Sequence, residues 1–92
     1  VIGSSNAQQC ATWMAGFAQR YGNTPNIMYE PWNEPTTDSW ATIKTYMQTT
    51  INAIRPYDSN NIIIVGNPTW CQRPDYAATD PITTDRNIAY TV

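Results

Sequence analysis

The stretch Asn61-Ile62-Ile63-Ile64-Val65-Gly66 decides the fold. Four consecutive apolar residues without polar alternation read as a strand buried on both faces, as in a parallel sheet under helices. Upstream, Trp40, Ile43, Met47, Ile51 and Ile54 recur at helical spacing. Asp38 or Ser39 fits the cap of that helix, Pro56 its stop, and Tyr57 to Asn60 a loop. Further upstream, Asn26 to about Trp32 reads as another strand. Before it, Asn6 through Tyr21 reads as a helix with apolar positions Cys10, Trp13, Met14, Phe17, Ala18 and Tyr21, where Trp13 and Phe17 are expected in the core. Asn6 and Gln9 match a capping box, Gly22 fits the left-handed position that ends helices, and Asn23-Thr24-Pro25 is a turn. Downstream, Asn67 to Asp85 reads mostly as loop, with a short helical turn over Pro74 to Thr79, and Asn87 to Val92 reads as a third strand.

This order is α/β with parallel strands. Strand starts fall ~26–36 residues apart, the size of a βα unit. Three strands alone leave bare edges, whereas eight units close into a barrel of ~250 residues. Val1 opens inside an apolar patch and Val92 ends inside a strand, so a piece of a larger domain is expected.

Of the 92 residues, 41% are hydrophobic and 13% charged, enough for one small core. The net charge is −2, and the five basic residues (Arg20, Lys44, Arg55, Arg73, Arg86) are scattered. A nucleic-acid partner, which wants clustered basic charge, is set aside. No apolar run approaches the ~20 residues that cross a bilayer, so no membrane partner is expected. Cys10 and Cys71 stand far apart and the chain has no histidine, which argues against a metal site. The two cysteines read either as one disulfide or as two small semi-buried residues.

The chemistry concentrates in Tyr29-Glu30-Pro31-Trp32-Asn33-Glu34-Pro35-Thr36. In α/β sheets the site lies at the carboxyl ends of the strands, where this cluster and Asn67-Pro68-Thr69-Trp70 both fall. Polar residues there face a cleft. Taken alone, Glu34 is also readable as a turn carboxylate at a helix start.

Asn33-Glu34-Pro35 after a strand, then Ser39-Trp40, Ala53-Ile54-Arg55, Ile62-Ile63-Ile64-Val65-Gly66 and Trp70, resemble the middle of a family 5 glycoside hydrolase. These are cellulase-type endo-β-1,4-glucanases. The resemblance covers nearly the whole chain and implies part of a (β/α)8 TIM barrel, about helix 3 to strand 6. Residues 1–92 would then be a partial catalytic domain. It implies that Glu34 is the general acid/base, that Asn33 orients the sugar 2-hydroxyl and the nucleophile, and that Trp70, with Trp32, lines the sugar cleft. A retaining glycosidase needs a proton donor and a second carboxylate ~5–5.5 Å away that attacks the sugar. The donor must stay protonated near working pH, through burial or a nearby like charge.

The family's nucleophile is a second glutamate on a later strand. Here Asp58, Asp75, Asp80 and Asp85 lie in loops and Asp38 looks like a cap, so the nucleophile is expected outside these residues and the isolated chain is expected to be inactive. No cofactor or metal is implied. The implied partner is a β-linked polysaccharide, met by a secreted monomer. Mannanase or xylanase activity is the nearest alternative. A non-catalytic carbohydrate-binding module and a small structural α/β domain are others. Glu30 is expected to be structural, Tyr76 is a weak site candidate, and Tyr90 is expected inside the barrel.

Overall fold

The computed structural model describes residues 4–92. Helix α1 spans Ala7–Tyr21 behind a short 3-10 turn at Ser4–Asn6, and helix α2 spans Trp40–Ile54. Strand β1 (Ile63–Val65) and strand β2 (Ile88–Tyr90) pair in parallel, Ile63 opposite Ile88 and Val65 opposite Tyr90. A short helix at Pro74–Thr79 lies between them, where the sequence places one helical turn.

The segment expected as a strand over Asn26 to Trp32 is reduced to one parallel bridge, Tyr29 to Ile63. The Tyr29 N–H donates to the Ile62 carbonyl at 3.0 Å, and the Ile64 N–H to the Tyr29 carbonyl at 2.7 Å. Pro31 has no N–H to continue the ladder, so the chain leaves the sheet there. The bridge and two strands still follow one another in space as in sequence, all parallel.

Helix α2 forms as its stripe dictates. Trp40, Ile43, Met47, Ile51 and Ile54 are all buried, joined by Tyr46 and Thr50. Ser39 is the cap, its Oγ accepting from the Thr42 N–H at 3.2 Å. Each fully buried aliphatic side chain of this kind contributes about 1.5–3 kcal/mol. The Trp40 indole donates to the Asp80 carbonyl at 2.8 Å, pinning the loop before β2 onto the helix.

Helix α1 departs from its expected face. It buries Cys10, Ala11 and Ala18, small residues that let it approach α2, while Trp13 is 63% exposed and Tyr21 is exposed. Phe17 packs against the core only in part, edge-on to Tyr29, with Trp13 stacked upon it. The stripe is thus rotated toward its small members. Asn6 makes no side-chain cap to the helix. The left-handed residue is Asn23 (φ 62°), not Gly22. Gly22 is needed for space instead, since a Cβ there would lie 2.3 Å from the Tyr57 carbonyl oxygen.

One sheet face, with Tyr29, Ile63 and Val65, is buried against the helices. The other carries Met28 and Ile62, both exposed, and half-buried Ile64. Burial on both faces of β1, expected from its unbroken apolar run, is therefore met on one face only. Tyr90 faces the helices, its ring against Trp40 and its hydroxyl accepting from the Ile82 N–H at 2.8 Å, which corrects the interior placement expected for it. Both cysteines are buried and free.

At the end of the sheet where β1 begins, Asp58 is fully buried. Its carboxylate accepts from the Tyr29 hydroxyl (2.8 Å), the Asn61 side chain (2.8 Å) and the N–H groups of Asn61 (3.0 Å) and Asn60 (3.2 Å). Arg55, at the end of α2, pairs with Asp85 at 2.7 Å and donates to the Asp58, Asn61 and Arg86 carbonyls. One guanidinium thus ties the end of α2 to the starts of both strands.

Candidate active site at the carboxyl ends of the strands

The opposite end of the sheet carries the polar cluster. After Tyr29 the chain passes through Pro31 and Trp32, both buried, and then turns outward at Asn33 and Glu34, both exposed. Trp32 is a correction. Expected to offer a sugar-stacking face, it is only 5% exposed, its ring centroid 4.7 Å from that of Tyr46. It anchors the loop to the core and leaves Asn33 and Glu34 projecting.

Gly66 makes this path possible. A Cβ on Gly66 would fall 2.8 Å from Pro35 Cδ and 3.1 and 3.3 Å from the Trp32 and Asn33 carbonyl oxygens. A ring and a backbone cannot move aside as a flexible side chain can. Gly66→Ala is expected to destabilise the fold by about 1–3 kcal/mol and to displace Asn33-Glu34-Pro35. Denaturant unfolding checks this, and stability equal to that of the parent would show that the loop yields freely.

The loop after β1 contains a turn that the sequence does not announce. Within Pro68–Cys71, Thr69 (φ 59°, ψ 58°) and Trp70 (φ 54°, ψ 42°) are left-handed, and Cys71 has φ 62°. Each such non-glycine residue costs roughly 1–2 kcal/mol. Hydrogen bonds to the first loop offset that cost. The Trp70 N–H donates to the Pro35 carbonyl at 2.8 Å, the Thr69 N–H to the Thr36 carbonyl at 3.0 Å, and the Cys71 thiol to the Asn33 carbonyl at 3.4 Å. Asn67, fully buried, closes the assembly: its Nδ2 donates to the Thr91 carbonyl at 2.6 Å and its Oδ1 accepts from the Arg73 N–H at 2.7 Å.

The result is a cleft of about 520 Å³ between the two loops, lined by Thr36, Ser39, Trp40, Trp70, Arg73 and Tyr76 among others. That volume falls within the ~300–1,000 Å³ of small-molecule sites. Trp70 is 52% exposed along its wall, as a sugar platform requires. Glu34 and Asn33 are not part of the lining; the cleft opens beyond them, from Thr36 onward. Glu34 is exposed, so the burial expected around it is not supplied by the described residues. Glu30 is also exposed and lines a separate hollow with Cys10, Trp13, Met14 and Pro31. Tyr76 lies in the main cleft, whereas Tyr90 does not. Among the described residues no group of three or more histidine, cysteine or carboxylate side chains is placed to hold a metal.

Asn67, expected with its neighbours to face the cleft, is fully buried instead, and sequence reasoning missed Arg73. The Arg73–Asp75 spacing was visible but carries no information until Pro74 starts a helix and brings the two together. Arg73 forks onto the Asp75 carboxylate at 2.9 and 2.7 Å and lies 4.4 Å from the Tyr76 ring centroid. That fork holds the Asp75 carboxyl below its usual range.

The family described as Cellulase (glycosyl hydrolase family 5) matches residues 3–92. The chain belongs to glycosyl hydrolase family 5. Endoglucanase Z of Dickeya dadantii is 46% identical over 89 residues, covering 96% of this chain and 21% of that protein. Cellulase CelDZ1 of a Thermoanaerobacterium species is 43% identical over 82 residues, covering 79% of this chain and 21% of that one. The chain thus spans about a fifth of the length of these relatives. Among solved structures, the catalytic domain of a Thermobifida fusca endoglucanase superposes with a TM-score of 0.86 at 35% identity, over 94% of this chain and 30% of that one. The same catalytic domain has been solved in complex with cellotetraose. A Cytophaga hutchinsonii protein superposes with a TM-score of 0.90 at 43% identity, over 95% and 29% of the two chains. The parallel bridge-and-strand order, helices on one face, is consistent with a piece of the family's (β/α)8 barrel.

Proposed function

We propose that this chain is the part of a retaining endo-β-1,4-glucanase, acting on cellulose-type glucan, that carries its general acid/base, Glu34. The supporting observation is the pair of loops at the carboxyl ends of the strands. One projects Asn33 and Glu34, the other Trp70, and backbone hydrogen bonds join them beside an open cleft. Family membership, and cellotetraose bound to a structural neighbour, point to a β-linked glucan as substrate.

In this reading the chain covers about helix 3 to strand 6 of the barrel, as a partial catalytic domain. Glu34 protonates the departing glycosidic oxygen and then deprotonates the water that releases the sugar. A second carboxylate, outside these residues, attacks the anomeric carbon and forms the glycosyl-enzyme intermediate. Asn33 holds the 2-hydroxyl, and Trp70 stacks on a sugar C–H face. An insoluble substrate places the enzyme outside the cell.

The test is stereochemical. Hydrolysis of a cello-oligosaccharide by the complete gene product, followed by proton NMR, is expected to give the β-anomer first, since two inversions retain configuration. Initial release of the α-anomer, or no hydrolysis, would overturn the reading.

A further inference from the structure

The two free thiols play no part in the glucanase reading, yet both donate to the loop that carries Glu34. Tyr29 is the last residue of that segment bonded to the sheet, and beyond it the carbonyls take their partners singly. The Pro31 carbonyl accepts from the Cys10 thiol at 3.5 Å and from the Tyr46 hydroxyl at 3.4 Å. The Asn33 carbonyl accepts from the Cys71 thiol at 3.4 Å. The two cysteines sit on separate elements, α1 and the loop after β1, so only the fold brings them to one loop. We propose that Cys71 is a positioning residue, whose thiol fixes the peptide between Asn33 and Glu34 and with it the directions in which those two side chains leave the loop. This inference rests on the glucanase reading above.

Three observations carry it. The carbonyl that the thiol meets belongs to the peptide unit joining Asn33 to Glu34. A peptide is planar, so turning that unit changes ψ of Asn33 and φ of Glu34 together. Both side chains are exposed and neither hydrogen-bonds to another described residue, so the backbone sets their directions. The thiol reaches the carbonyl because Thr69, Trp70 and Cys71 are left-handed in succession (φ 59°, 54° and 62°). That run reverses the hand of the turn and the side on which the Cys71 Cβ leaves it. Cys71 is buried, and the carbonyl is bounded elsewhere by Gly66, where a Cβ would lie 3.3 Å from its oxygen. A thiol is a weak donor, yet misplacing a reacting group by ~1 Å can cost ~10²-fold in rate, so a weak bond at this peptide has leverage.

The experiment measures kcat and KM for cellopentaose in the complete gene product. Cys71→Ala is expected to lower kcat about fivefold and to leave KM within about twofold, because the loss is felt where the bond breaks. Cys71→Ser keeps a donor and is expected to bring kcat back to within about twofold of the parent. An unchanged kcat for Cys71→Ala, or a change in KM alone, would overturn the proposal. So would a loss for Cys71→Ser as large as that for Cys71→Ala, which would assign the thiol to packing. If Cys71→Ala does not fold, the Raman S–H stretch of the parent decides. The band that disappears in Cys71→Ser is expected at the lower frequency of a hydrogen-bonded thiol, and the frequency of an unbonded thiol would overturn the proposal. A parent that cleaves no cellopentaose would sink the glucanase reading and this role together, a pattern distinct from an unchanged kcat in an active enzyme.

Discussion

Glu34→Gln in the complete gene product is expected to lower turnover of cello-oligosaccharides by about 10²–10⁴-fold, the usual worth of a positioned acid/base. The amide keeps the size and loses the transferable proton. A sugar alcohol is a poor leaving group and needs that proton. An aryl glycoside with a strongly acidic phenol does not, so its first step is expected to suffer far less. The second step still needs a base to activate water. The variant should therefore release a rapid burst of phenol and then stall with the glycosyl-enzyme accumulated. A small anion that needs no deprotonation, such as azide, should restart turnover. Equal losses on both substrates, with no burst, would assign Glu34 to the bland role of a turn carboxylate.

Asp58→Ala is expected to destabilise the protein by about 3 kcal/mol or more. It strands the buried Tyr29 hydroxyl, two backbone N–H groups and the Asn61 amide without their acceptor. Tyr29→Phe removes one of the four donors and should cost about 1.5–3 kcal/mol, the range for hydrogen bonds to a charged group. The same site sets an acid limit. Burial alone would push the Asp58 carboxyl up, but hydrogen bonds from the Asn61 N–H, the Tyr29 hydroxyl, the Asn61 side chain and the Asn60 N–H outweigh it and hold the carboxyl well below the usual range. A depressed folded-state pKa stabilises above the unfolded value of ~4, and that stability is lost as pH falls from there toward the folded value. The Tyr29 phenol is pushed the other way, by burial and then by the Asp58 carboxylate. Its contribution is full below pH ~10 and fades as pH rises beyond that. Denaturant unfolding between pH 2 and pH 6 checks the acid limb. A curve for Asp58→Asn that falls below pH 4 as steeply as the parent's would show that another carboxyl is responsible.

What the sequence made legible, and what it did not, follows from where each residue's conformation is decided. The α2 stripe was readable because large side chains at regular spacing leave one way to bury them. β1 and β2 were readable from short apolar runs at a βα spacing. Trp13 misled because period alone does not say which part of a wide stripe meets the neighbour; α1 chose Cys10, Ala11 and Ala18, whose small size lets two helices close. Tyr29 pairs alone because Pro31 removes a donor just beyond it. Trp32 read as a cleft residue because it neighbours Asn33, yet the chain turns between them and Gly66 leaves room for that turn. Glu34, Asn33 and Trp70 were visible as residue types at strand ends. The left-handed backbone under Trp70 was not, because threonine, tryptophan and cysteine have no local preference for it and tertiary hydrogen bonds to Pro35 and Thr36 impose it. The burial of Asn67 and the fork of Arg73 stayed hidden for the same reason, since their partners are distant in sequence or assembled by a short helix.

Under the roles proposed for Glu34 and Trp70, the two hydrogen bonds that hold Trp70 and Thr69 to Pro35 and Thr36 act as a ruler between proton donor and sugar ring. A thermal excursion of either loop carries the other with it, so the separation between the donor and the ring it serves varies less than the position of either in the molecule. The enzyme's proton-transfer geometry would then be set by a span of backbone rather than by side-chain packing. Damage to the second loop, remote from the acid in sequence, would therefore register first as slow chemistry and only later as weak binding.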